Sequence, residues 1–185
     1  MKSQKTSPLL AISIVTTLLT AGLFGGCASS LPYKTQEYAA QRSERTFEYE
    51  MPVVYRAIEK ALEKQNVQKR SPKKVTNSEL NQLSEAEWVT DWIYSQSRDK
   101  YVEYTIDSIP RRKPLQVRLK QTIVARRNIA GVQISVRTEE ELERINANGS
   151  PNGYEEVTPD SSRAAELLDR IQLAILSLGG GKDLP

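Results

Sequence analysis

Between residues 46 and 51 apolar and polar positions alternate, with Phe47, Tyr49 and Met51 on one side and Glu48 and Glu50 on the other. That is the period of a half-buried strand. Pro52 stands where a helix begins, since its missing N–H costs nothing in a first turn. Val54, Ala57, Ile58, Ala61 and Leu62 then recur at helical spacing through Gln65, and such a stripe needs a cover. Residues 68–84 gather Lys69, Arg70, Lys73 and Lys74 around Pro72 before a polar run, and read mostly as loop with a short strand over 73–77. From 87 to 95, Trp88, Val89, Trp92, Ile93 and Tyr94 crowd around Thr90 and Asp91, a composition that favours one strand. Alternation returns over 101–107, and Pro110 and Pro114 bracket Arg111, Arg112 and Lys113 as a turn. Leu115, Val117, Leu119, Ile123 and Ala125 are in phase over 115–126, and a partner strand, 129–137, follows across Arg126-Arg127-Asn128 with Val132, Ile134 and Val136 inward. The acidic run 139–144 reads as a helical turn, and Asn148-Gly149-Ser150-Pro151-Asn152-Gly153 as a surface loop. Asp160 or Ser161 caps a last helix whose stripe is Ala164, Leu167, Leu168, Ile171, Ile175 and Leu178, and Gly179-Gly180-Gly181 stops it.

The expected element order is β-α-β-β-β-β-α. A sheet with one apolar face and two helices with apolar stripes must cover one another, so the expected fold is α+β, a two-layer sandwich of an antiparallel sheet packed by two helices. It occupies residues 46–178. Residues 27–45 are polar, mixed and without period, and read as a flexible tether; residues 179–185 read as a flexible tail.

The first 26 residues have a different character. Lys2 and Lys5 precede an uncharged run, 8–24, rich in Leu, Ile, Val, Ala and Thr, which ends in Gly25-Gly26. Charge, apolar core and small residues at the cut are the plan of an export signal, residues 1–26, and the run is short of the roughly 20 apolar residues of a spanning helix. Leu23-Phe24-Gly25-Gly26-Cys27 resembles the lipobox of bacterial lipoproteins, although Phe24 stands where that family usually has Leu. The resemblance implies a diacylglyceryl thioether on Cys27 and an acyl chain on its new amino group. Two or more chains at about 0.8 kcal/mol per buried methylene anchor a protein stably without spanning the bilayer. Ala28 and Ser29, with no Asp, look like the outer-membrane default of lipoprotein sorting, facing the periplasm.

Composition narrows the chemistry. The chain has 185 residues, 38% of them hydrophobic, and a formal charge of +3. Loss of Lys2 and Lys5 leaves the mature part close to neutral, so bulk charge names no partner. With no histidine and one cysteine, the chain forms no internal disulfide, no Cys-His metal cluster and no Ser-His or Cys-His pair. No enzyme is expected, no catalytic residue is assigned, and no cofactor or metal is expected beyond the covalent lipid. Asp91, Glu103 and Asp107 read as outward carboxylates with no apolar pocket to perturb them.

Lipidated Cys27, a linker, an aromatic strand leading into Ala57-Ile58-Glu59-Lys60-Ala61-Leu62, the strand Trp88-Val89-Thr90-Asp91-Trp92-Ile93, a long antiparallel pair and a Leu-rich last helix together resemble a helix-grip domain. In particular they resemble the family of the C-subunit lipoprotein of the outer-membrane β-barrel assembly machinery, whose members carry two such domains where this chain has room for one. The resemblance implies a non-catalytic envelope module that binds another envelope protein, as an accessory in outer-membrane assembly. Trp88, Trp92 and Tyr94 share a strand phase; they either line the sheet face under the helices or open as a groove between sheet and last helix. Such a groove would equally suit a carrier or sensor of an apolar or lipid ligand. Arg111, Arg112 and Lys113, like Lys69, Arg70, Arg126 and Arg127, are solvated loop charges or a contact for anionic headgroups or an acidic partner. Nucleic acid is not an expected partner, because export removes the protein from it.

Overall fold

The computed structural model describes residues 31–73, 75–146 and 149–179. In chain order its elements are β1 (Lys34–Thr35), β2 (Glu44–Phe47), α1 (Met51–Ala61), β3 (Val67–Ser71), α2 (Asn77–Gln82), β4 (Glu85–Thr90), β5 (Ile93–Ile106), β6 (Ile109–Asn128), β7 (Gly131–Ile145), β8 (Pro151–Val157) and α3 (Ser162–Ser177). They form a mixed α+β chain in which the helices accompany one curled antiparallel sheet.

Strand β6 is the spine of that sheet. Its first half pairs with β5 and its second half with β4, on the same edge. The opposite edge pairs with β7 from Val117 to Asn128. β7 in turn carries β2 against its first half and β8 against its second. β3 extends the sheet beyond β4, and β1 beyond β5.

Helices α1 and α3 pack side by side over the inner face of one end. Met51, Val54, Ala57 and Ile58 of α1 and Leu167, Leu168, Ile171 and Ile175 of α3 are essentially water-free, and they meet Trp88, Ile123, Ala125, Val132 and Ile134 of the sheet. Burying each large aliphatic contributes about 1.5–3 kcal/mol, so this cluster dominates the stability of the domain. The β6–β7 hairpin closes beneath it at Gly131, whose φ of +130° L side chains rarely adopt; a Cβ there would lie 2.2 Å from the Phe47 carbonyl oxygen. A second, smaller cluster, Val102, Leu115, Val117, Leu142 and Ile145, lies further along the same inner face.

Several segments depart from the sequence expectations. The chain read as tether is hydrogen-bonded to the sheet from Leu31 onward: Leu31 N–H donates to the Ile145 carbonyl, β1 pairs with β5, and β2 begins at Glu44. The short strand expected over 73–77 is replaced by β3 at Val67–Ser71, and residues 77–82, read as the end of that strand and loop, form α2, because Thr76 and Glu79 make a reciprocal capping box. The acidic run 139–144 is no helical turn but part of β7, held by pairing on both sides. β8 lies in the expected loop. The turn expected at 110–114 is strand, and the chain reverses instead at Asp107 and Ser108, both at positive φ. Two consecutive left-handed residues make the hairpin turn that matches strand twist. By the alternation of the pairing, Pro110 and Pro114 aim their missing N–H away from β5, toward an edge that β7 does not reach.

Candidate functional site

Trp88, Trp92 and Tyr94 do not share one face. Trp88 lies opposite Ile123 of β6, and Ile93 lies opposite Leu119, so five steps along one chain span four along the other. The extra residue falls at Asp91-Trp92, where the strand breaks; Asp91 accepts the Trp92 N–H and donates its own N–H to the Asn66 carbonyl. One added residue reverses which side chains point inward. At the break, the Thr90 hydroxyl oxygen accepts the Gln121 N–H at 2.9 Å and so replaces a ladder bond.

Trp88 is therefore a core residue, 1% exposed, with its ring 5.0 Å from that of Tyr55 and its indole N–H donated to Glu59. Trp92 and Tyr94 point to the opposite, outer face. There the Arg118 guanidinium stacks on Trp92, 4.6 Å from its ring centre, and on Tyr154, 4.5 Å away. The Tyr94 and Tyr154 rings meet edge to face at 6.3 Å. Glu141, opposite Arg118 in the β6–β7 register, accepts from its Nε at 2.8 Å and Nη2 at 2.6 Å. The hydrogen bond to Glu141 holds Arg118 above the ordinary arginine value, against the opposing effect of burial. Burial raises the Tyr154 phenol, aided by Glu143 and Tyr94. The result is a preorganised platform of two tyrosines, a tryptophan and an arginine paired with Glu141, on which Tyr94 is 64% exposed.

The sequence singled out Trp92 and Tyr94 together with Trp88 for a groove under the last helix, not for the outer face, and it did not single out Arg118, Glu141 or Tyr154. Tyr154 sat in a segment of strong turn chemistry. Arg118 was one of several outward polar residues along β6, and pattern alone does not separate a stacked arginine from a solvated one.

A polar seam separates the two apolar clusters of the inner face. Between Gln96 and Tyr101 five steps of β5 oppose two of β6, and the excess chain turns inward with Ser97, Asp99 and Lys100 buried. The Lys100 ammonium lies 2.8 Å from Asp99 and 3.1 Å from Glu140. Glu140 also accepts the Asp160 N–H, and the Asp160 carboxylate accepts the N–H and hydroxyl of Ser162 at the start of α3. Burial pulls the Lys100 pKa down, but hydrogen bonding to Asp99 and the charge of Glu140 outweigh it, so the group stays above the ordinary lysine value and charged. This lysine ties β5 to β7, and through Glu140 and Asp160 the network reaches the start of α3.

Arg111, Arg112 and Lys113 are all exposed, on the arm that β5 and β6 extend beyond the rest of the sheet. The structure does not bring them near Trp92. Arg112 pairs with Glu103 at 3.3 Å and lies over the Tyr101 ring. Cys27 lies outside the described residues. The expected space between sheet and α3 is filled by Leu167, Leu168, Ile171 and Ile175; a solvent-open hollow of about 410 Å³ remains at the start of α3, between Val136–Thr138 and Pro159–Ser161, and none of the three aromatic candidates lines it. Compared with models of known protein families, with curated proteins and with solved structures, the chain matches none.

Proposed function

We propose that the chain is an envelope lipoprotein, anchored through Cys27 on the periplasmic side of an outer membrane, whose domain is a non-catalytic module that binds another envelope protein. A curled antiparallel sheet with α1 and α3 packed on its inner face supports a helix-grip reading, and with it the likeness to accessories of outer-membrane assembly. The observation that carries the binding role is the outer-face platform of Trp92, Tyr94, Arg118 and Tyr154. Tryptophan, tyrosine and arginine are the residues that most often dominate protein interfaces, because they bury large, rigid area at small entropic cost. Here the sheet orders them before any partner arrives, although none is needed to fill the core. A carrier of an apolar ligand would need room under α3, where the side chains are packed.

The test places a photo-crosslinking residue at Tyr94 in the full-length lipoprotein in living cells. A discrete protein adduct is expected from this position, absent from the same residue at Lys64 beyond the end of α1 and lost in a Tyr154→Ala background. Equal labelling from both positions, or none from Tyr94, overturns the reading. Acylation is read separately, from the mass of the amino-terminal peptide.

A further inference from the structure

Among the described residues nothing covers the arm: from Val102 to Lys113 its strands pair only with each other, and residues 103–114 are all exposed. Cross-strand register sorts its side chains onto two faces. Glu103 pairs with Arg112 and Thr105 with Pro110 on one; Val102 with Lys113, Tyr104 with Arg111, and Ile106 with Ile109 on the other. The second face continues the inner face of the sheet, because Val102 belongs to the smaller cluster. It carries Tyr104, Ile106 and Ile109, each 43–53% exposed, two cations and no carboxylate. Among the described residues Arg111 and Lys113 have no ion-pair partner, whereas the arm's own Glu103 is engaged on the far face by Arg112 and Lys34.

The chain reaches the folded domain at the root of this arm. Leu31 bonds to the end of β7, and Lys34 and Thr35 pair with Tyr101 and Lys100 of β5. Four residue steps lead from Cys27 to Leu31, a span of at most about 14 Å. The arm runs five residue steps from Tyr101 to Ile106, about 17 Å at strand rise. A lipid on Cys27 therefore holds the arm within its own length of the bilayer surface.

We propose that the arm is a second membrane contact, which lies side-on against anionic headgroups with Tyr104, Ile106 and Ile109 in the interface and Arg111 and Lys113 on phosphate. This rests on the lipid-anchor reading above. Side-on docking follows from Asp107, which a tip-first approach would drive into the bilayer. Alone, three partly exposed apolar side chains and two cations near an anionic surface give weak and salt-sensitive binding. Tethered by acyl chains, the contact becomes intramolecular and needs little affinity of its own. Its consequence is orientation: the domain loses the freedom to tumble on its tether, and the aromatic platform is held at a fixed attitude to the membrane.

The experiment uses the full-length lipoprotein with Ile109→Cys, whose thiol takes an environment-sensitive fluorophore while acylation blocks Cys27. It is reconstituted into vesicles of phosphatidylethanolamine with one-quarter phosphatidylglycerol. A blue shift and quenching by nitroxide-labelled lipids are expected. Both should vanish with Arg111→Glu/Lys113→Glu or in purely zwitterionic vesicles, and the same label at Lys64→Cys should show neither. No shift at position 109, or a shift that ignores both charge reversal and lipid charge, overturns the arm contact; a shift that appears only when envelope proteins are added assigns the face to a protein instead and overturns it too. Mass spectrometry of the amino-terminal peptide in the same sample separates these failures from loss of the anchor itself, since an unacylated Cys27 would remove the premise.

Discussion

Strand β6 runs through two environments, and the contrast between its ends explains the molecule. From Thr122 to Arg126 it has neighbours on both edges and two helices above it, and Ile123 and Ala125 are fully buried. From Ile109 to Pro114 it keeps the same alternation but pairs with β5 alone, and every residue is exposed. Alternation thus decides which way a side chain points and nothing more. Whether that direction leads to a core depends on what arrives from elsewhere in the chain, and α1 and α3 arrive at one end only. The seam between the ends is polar because it faces both a helix terminus and an irregular stretch of β5, whose backbone groups need partners that a regular ladder would have supplied.

The strongest way to break this arrangement is at the seam. Lys100→Met leaves Asp99 and Glu140 buried without their shared cation, and loss of one partner from a buried ionic group costs about 3–5 kcal/mol. Urea denaturation at neutral pH measures it. The dependence on pH has a definite sign. Because the Lys100 pKa is raised in the folded chain, its contribution is complete below the ordinary lysine value of 10.5 and is lost as pH rises past it. The gap between parent and variant should therefore narrow above about pH 10.5 and stay constant through the neutral range. A gap that instead widened in alkali would show that Lys100 is held neutral.

Next in size is the pair of tryptophans four positions apart. Trp88→Ala removes a buried indole packed at a tilt against Tyr55, for about 3–5 kcal/mol, whereas Trp92→Ala loses chiefly its contact with Arg118, for about 0.5–1 kcal/mol. Melting temperatures of the two variants, compared directly, check the assignment. If Trp92→Ala proved as damaging as Trp88→Ala, the platform would be part of the core.

That pair also marks the limit of what the sequence conveyed. The stripes of α1 and α3, the inward phase of β6 from Leu115 to Ala125 and that of β7 from Val132 to Val136 were all legible, since each is a long regular pattern tied to one buried face. The Thr76-Asn77-Ser78-Glu79 capping box was equally legible but lay in a polar run just after a basic cluster, and the region was read mostly as loop. The phase reversal at Asp91-Trp92 was not legible in the same sense. A residue inserted into a strand leaves composition untouched, and its position is fixed by the register with β6, which is a property of two segments at once. The same holds for the platform, since Tyr94, Arg118 and Tyr154 come from three strands and only the paired sheet makes them neighbours. Prolines misled in the arm because their usual meaning, a turn, yields to a strand whose edge is open on the side where the N–H is missing.

The smallest effect on stability is expected from the arm, and it separates the two ends of β6 most sharply. Val102 and Lys113 lie opposite each other in the same alternation of the ladder as Ile106 and Ile109, which already flank a two-residue turn. Residues 103–112 can therefore be replaced by Asn-Gly, which favours the same kind of turn, without disturbing the register below. What is lost is the Glu103 pairing with Lys34 and Arg112, all at exposed positions, together with the Arg112 contact on Tyr101. Exposed pairs of this kind contribute about 0–1 kcal/mol each, so urea midpoint and slope should both stay close to those of the parent. The smaller cluster, Val102, Leu115, Val117, Leu142 and Ile145, remains below the cut, and its amide protons should keep their protection against exchange. A large drop in midpoint, or exposure of those amides, would mean that the uncovered end of β6 holds up the covered one.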